Sequence, residues 1–205
     1  MGRWPEGARR RLQDAALELF ADRGYAATTV DDIAARAGVS PRTFFRHFPD
    51  KEEVLFDADA RLLAVLVDGV RTAPADAAPR VLVTAALRAL ARILDPDRVR
   101  LRARADVLAS DIALQGRDLA KQARWVAVLA DEVAGRGVPR PTATLLTAAG
   151  AAAFRTAYLA WLADDAGTTL EERCVRALDE LATILCHGGG PASAGPPPAG
   201  SDPSV

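Results

Sequence analysis

The chain has few residues of the types that build disulfide frameworks and metal sites. Among its 205 residues there are 2 cysteines and 2 histidines, and aromatic residues make up 5%. Cys174 and Cys186 lie on one predicted helix, where their separation along the axis of about 18 Å excludes a disulfide between them. We therefore expect both to be buried small hydrophobic residues in a reducing compartment.

Long apolar segments are also missing. The stretch Leu145–Leu162 comes closest to a membrane span, but Arg155 interrupts it and Ala and Gly dominate its composition. Residues 1–7 lack the apolar segment of a signal peptide. The sequence therefore predicts a cytoplasmic protein with no membrane partner.

The charge balance has no strong excess of either sign. The 26 Lys and Arg residues nearly cancel the 27 Asp and Glu residues, for a formal net charge of −1 at pH 7. Binding to nucleic acid would therefore require a local basic surface. Half of the residues are hydrophobic, which is ample for the core of one domain or of a small domain joined to a larger one.

Catalytic groupings are missing as well. His47 lies in a short basic helix and His187 lies at the edge of a Gly- and Pro-rich tail. We find no Ser/His/Asp grouping, no metal-ligand spacing and no phosphate-binding glycine loop. The sequence thus predicts no catalytic residues, no metal and no cofactor, and it does not indicate an enzyme.

Helical periodicity runs through most of the chain and predicts an all-α fold. The predicted helices cover residues 6–23, 30–35, 41–47, 51–72, 77–94, 96–109, 112–135, 141–165 and 169–187. The segment Arg98–Ala105 alternates in the manner of a strand. We favour a helix there, because no neighbouring segment could pair with a strand.

Two short helices with good start signals are predicted between residues 28 and 48. Thr29 precedes one and Ser40-Pro41 precedes the other, and Gly38 lies in the turn between them. This order is the outline of a helix-turn-helix. In the second helix, Phe44 and Phe48 share one face, and we expect them to anchor it.

The opposite face of that helix carries groups that suit DNA. Arg42, Thr43, Arg46 and His47 are predicted to point away from the core. Arginine can pair with two acceptors on a guanine edge, and threonine can contact a thymine methyl group or a phosphate. A short helix with an apolar back and a basic front fits the major groove.

The segment TTVDDIAARAGVSPRTFFRHFPDKEEV, residues 28–54, resembles the DNA-binding signature of TetR-family repressors. The resemblance extends over about residues 8–57, and the RTFFR variant is similar to that of many actinobacterial members, including regulators of mycofactocin clusters. It implies a three-helix DNA-binding domain, a helical ligand-binding body and a homodimer.

The resemblance also implies which residues meet DNA. Thr29 caps a helix whose N-terminus meets phosphate, Arg42 and Thr43 reach bases or backbone, and His47 and Lys51 contact phosphate. Phe45 departs from the usual tyrosine, so a phosphate hydrogen bond worth about 1 kcal/mol is lost. The full predicted set is Thr29, Pro41, Arg42, Thr43, Phe45, Arg46, His47 and Lys51.

The predicted organisation has three parts. Residues 1–50 form the helix-turn-helix domain, residues 51–187 form a helical ligand-binding and dimerisation domain, and residues 188–205, rich in Gly, Pro, Ser and Ala, form a disordered tail. Small residues in helix 141–165 and the Leu stripe of the last helix indicate the dimer contact, although both stripes could equally be buried within one subunit.

The scarce aromatic residues of the body suggest an effector site. Phe154, Tyr158 and Trp161 share one helix face, and they would line an apolar cavity for a small, apolar effector. Core packing is the alternative explanation for each of them. The predicted lining residues are Leu62, Leu66, Trp125, Phe154, Tyr158 and Trp161.

Four arginines in one predicted helix, at positions 98, 100, 102 and 104, invite a second hypothesis. They could bind a phosphate-bearing ligand such as an acyl-coenzyme A. Because they fall on two faces of the helix, solvated head groups over buried stems are the favoured explanation.

The sequence therefore predicts a ligand-responsive transcriptional regulator, a repressor that binds a palindromic operator as a homodimer. The alternative is a helical small-molecule-binding protein or enzyme without specific DNA binding. Salt-dependent binding to a palindromic DNA site separates the two.

Overall fold

A computed structural model describes residues 6–164 and 167–186, and within them the fold is all-α. The elements are α1 (Glu6–Arg23), α2 (Val30–Arg36), α3 (Pro41–His47), α4 (Glu53–Phe56), α5 (Asp59–Arg71), α6 (Pro79–Leu94), a 3-10 turn (Asp95–Asp97), α7 (Arg98–Ala109), α8 (Ile112–Gly135), α9 (Arg140–Ala163) and α10 (Leu170–Cys186). The predicted disordered tail, 188–205, and His187 lie outside the described residues.

Helices α1–α4, here called the head, enclose an aromatic core. Leu12 and Phe20 of α1 cover Ile33, Phe44 and Phe48, all of them buried. The same core continues into the ends of α7 and α8, where three further residues are buried: Val107, Leu108 and Leu114. The head is thus packed directly onto the rest of the chain.

Helices α5–α10 are here called the body. Helix α6 lies at its centre and contacts α5, α8, α9 and α10, whereas α7 contacts α1, α8 and α9. Glycines allow two of these approaches. A Cβ atom on Gly69 would lie 2.6 Å from the Ala86 Cα atom, and one on Gly150 would lie 2.6 Å from the Val83 Cγ1 atom. The α5–α6 crossing is therefore a contact between two helix backbones.

Two expectations from the sequence are wrong in detail. The helix predicted over 51–72 is divided into α4 and α5 by a turn at residues 57–58, where the Asp57 carboxylate accepts from Arg9 and Gln13 of α1. Cys186 is exposed, whereas Cys174 is buried as expected. The strand-like segment Arg98–Ala105 is helical, as predicted.

Helix α9 is long and apolar enough to cross a membrane by length and composition. One third of its most apolar window is buried inside the fold. It packs against α6, α8 and α10.

Candidate DNA-binding surface and effector site

The helix-turn-helix is held by local hydrogen bonds at both helix starts. The Thr29 hydroxyl accepts from the Asp32 amide at 3.1 Å, and the Asp32 carboxylate accepts from the Thr29 amide at 3.0 Å, which forms a capping box. The Thr29 hydroxyl also donates to the Asp32 carboxylate at 2.6 Å, and this bond, together with the one from the Thr29 amide, lowers the pKa of Asp32. In α3 the Ser40 hydroxyl accepts from the Thr43 amide at 3.2 Å.

The turn between α2 and α3 requires a glycine. Gly38 has φ of 68°, a left-handed conformation that glycine adopts without strain. The Val39 amide then donates to the Ala34 carbonyl at 2.9 Å and closes the turn. Because Phe44 and Phe48 are fully buried, the orientation of α3 on the head is fixed.

The outer face of α3 carries several of the predicted DNA-contacting residues. Pro41, Arg42 and Arg46 are exposed, and the Phe45 side chain is 56% exposed. Thr43 is half-buried, with its hydroxyl 3.1 Å from that of Ser40. Thr29 is exposed at the start of α2. An apolar ring next to two arginines offers contacts to base edges, a thymine methyl group and phosphates.

Two basic residues near this face are engaged elsewhere. The Arg36 guanidinium lies 2.9 Å from the Glu18 carboxylate of α1. Lys51 donates to the Tyr25 carbonyl at 2.8 Å and the Thr28 carbonyl at 2.9 Å, so its ammonium fastens the loop before α2. A phosphate contact of Lys51 stays a prediction, and it would use the remaining N–H of that ammonium.

His47 has an unusual position for a residue expected to contact phosphate. It is half-buried, and no hydrogen-bond partner for its buried Nε2 atom is found among the described residues. Burial, Arg46 and Arg9 lower the pKa of His47. The neutral imidazole is therefore favoured in the absence of DNA.

The six predicted effector-site residues lie in two adjoining apolar clusters of the body. Leu62, Leu66 and Trp125 belong to a cluster around α6, and Trp161 and Tyr158 belong to a second cluster near the start of α10. Phe154 packs against both clusters and stacks on Tyr158 at 6.0 Å between ring centroids. The structure thus brings these residues together as core packing, and their role as a ligand site stays a prediction.

The predicted effector-site residues include two polar groups, the Trp125 indole and the Tyr158 hydroxyl. The Trp125 indole Nε1 atom is buried, and the described part of the chain offers it no hydrogen-bond acceptor. Burial raises the pKa of Tyr158 to about 12, which keeps its hydroxyl protonated. An apolar molecule with an oxygen acceptor would suit both groups.

A cleft of about 440 Å³ opens between α4, α5 and α8. Its wall includes Phe56, Asp59 and Lys121. The Lys121 ammonium lies 3.3 Å from Asp59, 3.0 Å from Asp118 and 5.0 Å from the Trp125 ring centroid. A second cleft, of about 930 Å³, lies between α6 and α10 and has many charged residues in its wall. Neither cleft is lined by the six predicted residues.

Large apolar side chains are exposed on α9 and α10. The exposed fractions are 72% for Leu145, 50% for Leu159, 67% for Ile184 and 72% for Leu185. On α9 the exposed face between the two leucines is formed by small residues such as Ala148 and Ala152. An apolar face of this kind is typical of a surface covered by another protein chain.

The structural role of the four arginines of α7 was missed by both interpretations of the sequence. None is simply solvated: they bond to groups of α1, α4 and the end of α9, between 49 and 87 positions away. The alternate spacing of these arginines was the feature of the sequence that pointed to this role. It marked two faces, but it did not show what each face would contact.

Comparison with known proteins agrees with this arrangement. Residues 12–58 match "Bacterial regulatory proteins, tetR family" and residues 77–185 match "MftR C-terminal domain". The chain is 30% identical to MftR of Mycobacterium tuberculosis, described as a mycofactocin biosynthesis transcriptional regulator, over 83% of this chain and 88% of that protein. It is 46% identical to the activator FasR of Mycolicibacterium smegmatis over 35% of this chain and 33% of that protein.

Among solved structures, the chain is similar to FadR of Thermus thermophilus, a TetR-family repressor crystallised in complex with lauroyl-CoA. That likeness has 29% sequence identity and a TM-score of 0.54, and it covers 92% of this chain and 98% of FadR. These relatives are transcription regulators rather than enzymes. The chain therefore belongs to the TetR family of bacterial transcriptional regulators, with the helix-turn-helix of that family and a C-terminal domain of the MftR type.

Proposed function

We propose that this regulator binds a palindromic operator as a homodimer and represses transcription from it. The observation that carries the proposal is the capped, exposed helix α3, which presents Arg42, Phe45 and Arg46 on a base of buried phenylalanines. The eight DNA-contacting residues predicted from the sequence are kept in this proposal. The cytoplasm is the compartment where such a protein meets its DNA.

The homodimer is proposed from the apolar face of α9 and α10. A two-fold axis through that face would give an assembly with two copies of α3. Two such helices occupy half-sites about 34–36 Å apart, or a multiple of that distance, on one duplex. The relatives include a repressor and an activator, so repression is the direction to be tested.

The effector is proposed to be a small, largely apolar molecule that enters the body. The six predicted residues support this, since they join Trp125 and Tyr158, which carry polar atoms, to an apolar surround. The lauroyl-CoA bound to FadR makes an acyl chain the first chemistry to test. We expect effector binding to lower the affinity for DNA.

The decisive experiment selects genomic DNA fragments with the purified protein and measures their affinity by gel shift at fixed salt. We expect a palindromic site, and a loss of affinity of about tenfold or more for Arg42→Ala. Arg124→Ala on α8 is the matched control, because it also removes an exposed arginine. Equal affinity of the two variants would contradict α3 as the recognition helix.

The dimer and the effector are tested separately. Sedimentation should show a dimer that Leu145→Glu disrupts and that Val99→Glu, at an exposed site on α7, leaves intact. Only monomer at micromolar concentration for the unsubstituted protein would contradict the homodimer.

Adding lauroyl-CoA should release the selected DNA fragment, and unchanged binding would count against acyl chains as effectors.

A further inference from the structure

Helix α7 carries four arginines at alternate positions, and each is committed to a partner on another element. Arg98 and Arg102 lie on one face of α7, and Arg100 and Arg104 lie on the other. The first pair contacts the end of α9, and the second pair contacts the head, although Arg104 also lies 3.3 Å from Asp118 of α8. The strand-like spacing of the sequence thus produces a helix with two differently engaged faces.

The body-facing pair holds the end of α9. Arg102 donates from Nε to the Leu162 carbonyl at 2.5 Å, and Arg98 donates to the Asp164 carbonyl. The Leu162 carbonyl is one of the last four of α9, which have no partner within a helix, and guanidinium groups there also meet the negative end of the helix dipole. The Arg98 guanidinium also lies 5.3 Å from the Trp161 ring centroid.

The head-facing pair holds α1 and α4. Arg100 donates to the Gln13 side chain of α1 at 2.7 Å, and its Nε atom lies 3.2 Å from Asp14. Arg104 donates from Nε to the Leu55 carbonyl of α4 at 2.7 Å. Gln13 in turn donates to Asp57 at 3.2 Å, at the break between α4 and α5.

Helix α5 follows the head in the chain and packs on α6. A Cβ atom on Gly69 would lie 2.6 Å from the Ala86 Cα atom, so α5 lies against the backbone of α6. A short turn separates the end of α4 at Phe56 from the start of α5 at Asp59. By contrast, α7 is joined to α9 at one face and to α1 and α4 at the other.

We propose that Arg98, Arg100, Arg102 and Arg104 are positioning residues that couple the C-terminal turn of α9 to the orientation of the DNA-binding head. In this proposal, α7 moves as one rigid helix and so connects the contacts with α9 to the contacts with α1 and α4. A shift of the last turn of α9, at the dimer face or at Trp161, moves the carbonyls that Arg98 and Arg102 hold. The movement reaches α1 and α4 through Arg100 and Arg104. Because coupling free energies are reciprocal, a change in the head also alters the end of α9.

The test is hydrogen exchange on the full chain without effector or DNA. In Arg102→Met, we expect amides of α1 and α4 to exchange about five- to tenfold faster, although the bond that Arg102 donates to the Leu162 carbonyl lies at the end of α9. In Arg100→Met, the amides of the last turn of α9 should exchange faster in the same way. Arg92→Met, which removes an arginine that pairs with Glu171 in the body, is the control and should leave α1 and α4 unchanged.

Two further measurements separate positioning from simple loss of packing. Arg102→Lys keeps the positive charge and a donor at residue 102, so the amides of α1 should exchange almost as slowly as in the unsubstituted protein. This variant can be measured even if Arg102→Met unfolds too easily. For DNA, Arg102→Met should change the affinity for the selected fragment without changing its salt dependence, since no phosphate contact is lost. If exchange changes only near α9 in Arg102→Met and Arg102→Lys, while α1 and α4 match the unsubstituted protein, the coupling through α7 is wrong.

Discussion

The head and the body of this regulator are held together by contacts of different range. In the head, the polar contacts that define α2 and α3 join residues three positions apart, as in Thr29 with Asp32 and Ser40 with Thr43. In the body, several ion pairs join residues far apart in the chain, such as Arg71 with Glu132 and Arg92 with Glu171, although Lys121 with Asp118 is local. The head is therefore specified mostly by local sequence, and the body by pairings that appear only after folding.

The hydrophobic cores of the head and the body also differ, in the size of the residues that pack together. The head buries large aromatic rings, Phe20, Phe44 and Phe48, in one cluster. The body places glycine and alanine where helices cross, at Gly69 with Ala86 and at Gly150. Removal of volume should therefore damage the head most, whereas addition of volume should damage the body most.

The largest expected effect follows from removing an aromatic ring from the head. Phe44→Ala should cost about 3–5 kcal/mol of unfolding free energy, because the ring is fully buried between α1 and α2. Phe45→Ala is the matched control, since that neighbouring ring is 56% exposed and its loss should change stability little. Urea unfolding measures both. Similar costs for the two variants would show that α3 packs differently from the structure.

The local character of the head explains why its part of the site was predicted from the sequence. Caps, turn glycine and apolar back all lie within residues 28–48, so their spacing alone indicates α2 and α3. The sequence could not show that Lys51 bonds to the carbonyls of Tyr25 and Thr28, because that contact depends on how α1 is joined to α2. It also could not show the break after α4, where the apolar spacing is continuous but α1 holds Asp57.

For the body, the sequence predicted the helices but not how they pack against one another. Periodicity gave the ends of α8 correctly, but which face each helix presents to its neighbours depends on residues distant in the chain, as in the bond from Arg136 to the Val70 carbonyl, 66 positions away. The arginines of α7 show this most clearly, since neither solvation nor phosphate binding describes their contacts. The aromatic residues Phe154, Tyr158 and Trp161 were correctly placed together, and their ligand remains to be tested.

The second-largest effect is expected when a glycine of the body is replaced by alanine, and the change in unfolding free energy should depend on which glycine is replaced. Gly69→Ala should cost about 1–3 kcal/mol, because the new methyl group would lie 2.6 Å from a backbone atom of α6 that cannot rotate away. Gly116→Ala on α8 meets no atom within 4 Å. It should instead stabilise the protein by about 0.5–1 kcal/mol, since alanine favours a helix. Chemical denaturation should show opposite signs, and two stabilising changes would mean that α5 and α6 are not in backbone contact.

The smallest expected effect concerns the long-range ion pairs of the body. Hydrogen bonds from Arg92 and Arg88 lower the pKa of Glu171 to about 2, from an ordinary value of 4.5. A lowered pKa in the folded state means that the pairing stabilises the protein above pH 4.5 and that this contribution is lost as the pH falls towards 2. The two arginines are about half exposed or more, so solvent limits the contribution to about 1 kcal/mol or less.

Glu171→Gln removes that carboxylate and keeps its shape, so it isolates the effect. The fall in melting temperature between pH 6 and pH 3 should be smaller in Glu171→Gln than in the unsubstituted protein. Glu180→Gln, at an exposed position of the same helix, should show the full fall. High salt should reduce the difference between the two variants, because partly exposed pairs are screened. If Glu171→Gln and Glu180→Gln respond alike to pH, then distant ion pairs do not hold α10 on α6. The head and the body would then differ only in how their apolar residues pack, and not in the range of their polar contacts.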